Sequence, residues 1–189
     1  MAFNRKSSIY SLVVTAILLA VGMVLPFLTG NIQVLGQTIS PLHIPVLLCG
    51  LTCGWTWGTV LGVVLPLLRS AVFGMPPMVP VAIPMAFEMA VYGAVTGVLY
   101  PLLRRKMRPA LAMLSAMVPA MIAGRLLGGA AKAVVMGLQG STYTLQMFLT
   151  AYFVQTAVGA VIHLIVVPLI AMALEKAKLS PVAARAAKA

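Results

Sequence analysis

The chain has 189 residues, 62% hydrophobic and 8% charged, against soluble-domain averages of about 45–50% and about 25%. Its net charge of +11 would fit a nucleic-acid binder in a soluble chain, but ten of the thirteen Lys and Arg residues fall in three short hydrophilic places, with no recognition module or aromatic-interleaved patch beside them. Composition thus excludes a water-soluble catalytic domain and describes one membrane-embedded domain, with stretches reaching the roughly 20 apolar residues that cross a hydrocarbon core of about 30 Å.

Arg5 and Lys6 precede the first apolar run. That run is longer than the roughly 7–15 residues of a signal-peptide core, and no small-residue cleavage site follows in TGNIQV. It is expected as a retained first helix over 9–28. Within it, Ala16 and Ala20 in AILLA form a small-xxx-small pair that lets another helix come close. After the stretch TGNIQVLGQTISP comes a long apolar run over 42–73. Read as a single crossing, it would leave both the RRKMR cluster at 104–108 and the basic tail outside, against the bias of basic loops towards the cytoplasm. Gly50, Gly54 and the interfacial pair Trp55 and Trp57 offer a break in its middle. Two helices are therefore predicted, 41–53 and 55–73, followed by helices over 79–103, 109–136 and 146–174. The expected fold is an all-α integral membrane protein: one domain of six transmembrane helices, both termini cytoplasmic, with a basic cytoplasmic tail over 175–189.

The second helix is too short. At 1.5 Å per residue it covers about 20 Å, so something else must fill the outer part of its column. The preceding polar stretch is expected there as a folded loop over an outward-facing hollow, since irregular backbone at membrane depth is tolerated where it lines a cavity. Gly30, Asn31 and Gly36 allow the turns of a compact lid.

Three cations escape the cytoplasmic pattern: Arg69, Arg125 and Lys132. The only acids are Glu88 and Glu175. Counting rise along the predicted helices, Glu88 lies about 13 Å below the outer end of the fourth helix, with Arg125 about 24 Å up the fifth and Arg69 about 21 Å up the third. All fall in the outer half, where ionisable residues mark a functional site unless paired or hydrated. Arg69 and Lys132 also have the reading of snorkelling to headgroups, and Arg125 that of an internal pair with Glu88. Against one carboxylate, three cations leave an excess of two positive charges, which calls for a small organic anion. Arg125 is the prime candidate, because a planar guanidinium holds a carboxylate bidentately.

The last helix carries Tyr152, Gln155, Gly159 and His163 on one face. Gln155 is level with Glu88, and His163, deeper, is expected to make a helix-packing hydrogen bond. Cys49 and Cys53 in CGLTC read as packing residues, because zinc or redox chemistry would want a CxxC pair and further ligands. The thirteen methionines read as core filler. The chain shows no carboxylate pair, metal-binding helix, phosphate loop or Gly-x-Ser-Gly nucleophile, so neither an enzyme nor a metal or cofactor site is expected, and pumping would have to borrow its energy.

These features resemble the substrate-binding S components of energy-coupling factor vitamin transporters. The likeness rests on the six-helix plan, the long loop after the first helix, AILLA, and the stretches SPLHIPVLLCGLTCGW, LPLLRSAVFGMPPMVP and AFEMAVYG. It covers the chain to about residue 174 and is closest to the pantothenate, folate and riboflavin branch, with pantothenate favoured. The resemblance implies a binding protein of the prokaryotic plasma membrane that captures a vitamin in its outer half. It would dock through the Ala16 and Ala20 face onto a transmembrane T subunit driven by two cytoplasmic ATPases. Sites in similar proteins draw on the loop after the first helix and on helices four to six, a region that here contains Asn31, Gln37, Glu88, Arg125, Tyr143 and Gln155. Two other classes compete. A self-powered secondary transporter would show inverted repeats or broken helices at the midplane, and a scaffolding protein would need no polar cluster in its outer half.

Overall fold

In hydrocarbon every backbone polar group has to be satisfied within the chain, and the described residues, 5–29 and 39–182 of a computed structural model, meet that requirement with helices. They are α1 (Arg5–Val24), α2 (His43–Cys53), α3 (Trp55–Phe73), α4 (Ile83–Leu103), α5 (Pro109–Leu138), α6 (Leu145–Leu149) and α7 (Ala157–Lys176). A 3-10 turn, Leu25–Thr29, extends α1, an irregular turn over Met78–Ala82 precedes α4, and a π turn over Thr150–Val154 follows α6. Among the described residues five helical segments are long and apolar enough to cross a membrane, and α2 is a shorter apolar helix. Valines and leucines such as Leu12, Val60, Leu126 and Leu169 stand exposed around the bundle, which suits lipid as the solvent. The polar stretch expected to form a lid, with Asn31 and Gln37, lies outside the described residues.

The break inside the long apolar run falls at Gly54, whose φ of 96° and ψ of 177° suit a residue without a side chain. Its N–H bonds the carbonyl of Gly50 and its carbonyl accepts from Gly58, so α2 turns into α3 without losing backbone bonds. Beyond this turn, α2, α3 and α4 cross closely on glycine. A Cβ on Gly93 would collide with the backbone of Gly58, one on Gly62 with the backbone of Met89, and one on Gly97 with that of Trp55. Close backbone approach on small residues is how membrane helices gain packing, because lipid supplies no hydrophobic drive between them.

Two expected helices are corrected. The fourth does not begin at residue 79: Val79 and Pro80 have non-helical backbone angles, and the regular helix starts at Ile83. Proline at 77 and 80 removes N–H donors that a continuous helix would use. The sixth is present as one crossing, Leu145–Lys176, but it is not a regular α-helix throughout, because the π turn and the residues to Thr156 divide it into α6 and α7. The smaller differences at other helix ends are the usual fraying and 3-10 endings.

α4 is the central helix, packing on α2, α3 and α5, while α1 lies to one side against α2 and α3. Tyr92, Tyr100 and Met89 of α4 are buried with Met113 and Met117 of α5, Leu47 and Leu51 of α2, and Leu61 and Leu65 of α3. Methionine does serve as core filler here. Cys49 and Cys53 are both buried free thiols, and Cys49 Sγ lies 3.4 Å from Thr15 Oγ1 of α1.

The end of the bundle that carries Arg104 and Lys176 is fastened by the second acid. The Tyr100 hydroxyl donates to Glu175 Oε1, tying α4 to α7. After α7 the chain folds back beneath α2, where the Ser180 hydroxyl reaches the carbonyl of Thr52 at 3.5 Å and Val182 packs near Gly54. The polar interior of the bundle lies towards the other end.

Candidate functional site

Because neighbouring helices run antiparallel, the first turn of α2, the last turns of α3, the first half of α4 and the second half of α5 all meet at the end away from Arg104. These segments carry His43, Arg69, Glu88 with Tyr92, and Arg125 with Lys132. Arg125 and Lys132 are seven residues apart, two turns along one face of α5. The division between α6 and α7 adds Tyr152, Gln155 and Thr156. Together with His163, these side chains line a cavity of about 280 Å³, walled elsewhere by Pro26, Leu42, Met75, Pro76, Pro77, Pro80, Val81 and Met85. A few converging polar groups in an apolar wall is the usual build of a small-molecule site, and π turns concentrate at such sites.

Glu88 is buried and takes its partners from two helices. The Tyr92 hydroxyl donates to its Oε1 at 2.7 Å, and His43 Nε2 lies 3.6 Å from the same oxygen. His43 is held from its other side, where Nδ1 donates to the carbonyl of Ser40 at 3.1 Å. The alternative reading of Arg125 as an internal partner of Glu88 does not hold: among the described residues the ion pair of Glu88 is with His43. The third helix in the contact, α2, brings a nearer base to the carboxylate.

Freed from Glu88, Arg125 is loosely held. Its Nη2 donates to the carbonyl of Thr156 at 3.4 Å, its guanidinium lies 5.6 Å from the centre of the Phe153 ring, and its buried Nε has no partner. Lys132 places its Nζ about 6 Å from the rings of Tyr143 and Tyr152. Arg69 is differently employed. It is 3% exposed, donates from Nη1 to the carbonyl of Met23 at the end of α1, and lies over the rings of Phe27 and Phe73. It therefore ties α1 to α3 while facing the cavity, which displaces the headgroup-snorkelling reading.

Of the residues singled out from sequence, Arg69, Glu88, Arg125, Lys132 and Gln155 share the cavity wall. Tyr143 stands behind Lys132, with its hydroxyl buried and unbonded, and is not part of that wall. Asn31 and Gln37 lie outside the described residues. Ala16 and Ala20 do not line the cavity and stand on the exposed face of α1, among Leu12, Val13, Ile17 and Val24. His163 does not make the expected helix-packing hydrogen bond: neither ring nitrogen has a partner, and the ring stacks on His43 at 5.7 Å.

His43, Tyr92 and Thr156 were missed as site residues. For His43 a signal existed: it is one of two histidines in the chain, at the start of the short helix, and the lone buried acid needed a basic partner. Among the described residues no group of three or more His, Cys, Asp or Glu comes together to hold a metal ion.

A family model described as "ECF transporter, substrate-specific component" matches residues 10–171. No curated protein and no solved structure matches the chain.

Proposed function

We propose, because the chain belongs to the ECF transporter substrate-specific component family, that the cavity between α2, α3, α4, α5 and α7 binds a small acidic vitamin for uptake. The family places the protein in transport of a vitamin or other small molecule as a multi-pass membrane protein. The anionic character of the ligand is read from this chain. Glu88 is engaged by His43 and Tyr92, so Arg125 and Lys132 face the cavity without a carboxylate of their own. In a low-dielectric setting such an excess is costly until an anion enters. That disposition of charge is the observation carrying the proposal.

Pantothenate is favoured over folate and riboflavin. It is acidic, and a cavity of about 280 Å³ lies at the small end of ligand pockets, which run from about 300 to 1,000 Å³, whereas folate and riboflavin are larger. On this reading the chain crosses the bilayer six times in a prokaryotic plasma membrane, counting α2 as one crossing. Both ends, the basic turn at 104–108 and the tail would be cytoplasmic. The chain is itself no enzyme. A transmembrane T subunit, docking on the Ala16 and Ala20 face, and two cytoplasmic ATPases supply the energy. The exposure of that face in the free protein is what a docking helix requires.

The test is a binding screen of the purified protein against pantothenate, folate, riboflavin and uncharged vitamins, repeated on Arg125→Ala and Arg125→Lys. Loss of a charge-assisted contact of this kind costs about 2–5 kcal/mol, or roughly 30-fold to several thousand-fold in affinity. Lysine restores little, because it lacks the planar fork. A tightest ligand that is uncharged, or an Arg125→Ala variant binding an acid as well as the parent does, refutes the electrostatic argument.

A further inference from the structure

The two ends of the cavity differ chemically. Towards the mouth stand Arg125 and Lys132; His163 is two turns further along α7 than Thr156, whose carbonyl Arg125 contacts, and so about 10 Å deeper. His43 cannot serve a ligand with its nitrogens. A carbonyl only accepts, so Nδ1 carries the hydrogen given to Ser40. Nε2 then faces a carboxylate oxygen at 3.6 Å, a contact that is attractive only with a proton on one side or the other. His43 and Glu88 thus occupy one another, and Tyr92 is committed to the same oxygen.

His163 is in the opposite condition. It is 2% exposed and lines the cavity, yet neither nitrogen is hydrogen-bonded. The backbone of Ile39 and Ser40 lies beside the ring but outside hydrogen-bonding geometry. Protein interiors rarely leave such a group without a partner. The ring is buried and stacked on His43 at an interplanar angle of 27°, where a charge without a paired anion is costly. It is therefore a neutral imidazole, offering one donor and one acceptor.

We propose that the ligand is two-ended: an acidic group held by Arg125 and Lys132, and at the far end an uncharged hydrogen-bonding group, such as a hydroxyl or carboxamide, that meets a nitrogen of His163. This assignment rests on the cavity being the solute site. It makes His163 the residue that selects against a plain fatty or alkyl acid, whose apolar end would leave both nitrogens unsatisfied.

Calorimetric titration of the purified full chain with matched probes tests it. Pantothenate and folate carry both an acid and a polar end, panthenol keeps the polar end of pantothenate without the acid, and heptanoate keeps the acid with an alkyl end. At least one of the two-ended acids should bind, with panthenol and heptanoate at least about 30-fold weaker. His163→Phe should cost that acid about 5- to 100-fold and tighten heptanoate, whose alkyl end no longer buries unsatisfied nitrogens; a parent-like melting transition in detergent shows that the variant is folded. His163→Asn, which keeps a donor and an acceptor, should recover part of the loss. Heptanoate binding as tightly as the two-ended acids, an unchanged preference in His163→Phe, or no binding of either acid overturns the assignment. Tight binding of riboflavin in that last case would sink the two-ended class while leaving vitamin capture standing.

Discussion

Gly93 of α4 is the position where a single methyl group should cost most. A Cβ there would meet the backbone of Gly58, lying 2.8 Å from its Cα, where carbon atoms settle at about 3.5–4.0 Å. Relief requires α3 and α4 to part by about 1 Å, because the obstacle is main chain and no rotamer change removes it. Overpacking of this kind costs typically 1–3 kcal/mol, and a rigid obstacle puts Gly93→Ala at the upper end. Against this stands the helix-propensity gain of alanine over glycine, about 1 kcal/mol, leaving a net loss of about 2 kcal/mol. Gly137 is the internal control. It lies in α5 with nothing within 4 Å of its added Cβ, so Gly137→Ala keeps the propensity gain and should stabilise by up to about 1 kcal/mol. Thermal unfolding in detergent should show Gly93→Ala melting about 4–8 °C below the parent, at about 2–4 °C per kcal/mol for a domain of this size, and Gly137→Ala at or above it. Equal melting temperatures for the two variants would refute the claim that α3 and α4 touch through their backbones.

Glu88→Leu should destabilise by about 3–5 kcal/mol, because it strands His43 and the Tyr92 hydroxyl without their shared acceptor; Glu88→Gln, which keeps a carbonyl, should cost about 1 kcal/mol, and chemical unfolding separates the two. Ala16→Trp with Ala20→Trp should leave vitamin binding by the isolated protein intact while uptake with the energising partners falls; normal uptake in a correctly inserted double variant would remove α1 as the docking face. Arg125→Ala, as argued above, should weaken an acidic ligand at least about 30-fold.

What could be read from sequence was what a single residue type forces locally. Gly54 beside Trp55 announced the turn between α2 and α3, and isolated ions in apolar runs announced Glu88, Arg125 and Lys132, because membrane helices seldom carry charge without a use for it. Pairing was harder. Which base would reach Glu88 depended on how α2 and α5 pack around α4, and His43 is 45 residues away in the chain. Arg69 looked like a headgroup anchor from its place near a helix end, but it is buried against Phe27, Phe73 and the carbonyl of Met23. The π turn at Thr150–Val154 escaped notice because TAYFV continues an apolar helical pattern, and no proline or glycine marks where one extra residue enters the turn.

Vitamin capture on behalf of an ATP-driven partner is tested most directly by uptake into proteoliposomes. The ligand identified in the screen, radiolabelled, is offered outside vesicles containing this chain alone, this chain with the T subunit and ATPases, and the same complex carrying Arg125→Ala. Accumulation is expected only in the complete complex with ATP inside, and at no more than a few per cent of that level with Arg125→Ala at subsaturating ligand. Accumulation by the chain alone, driven by an ion gradient, would contradict the account and identify a self-powered transporter instead.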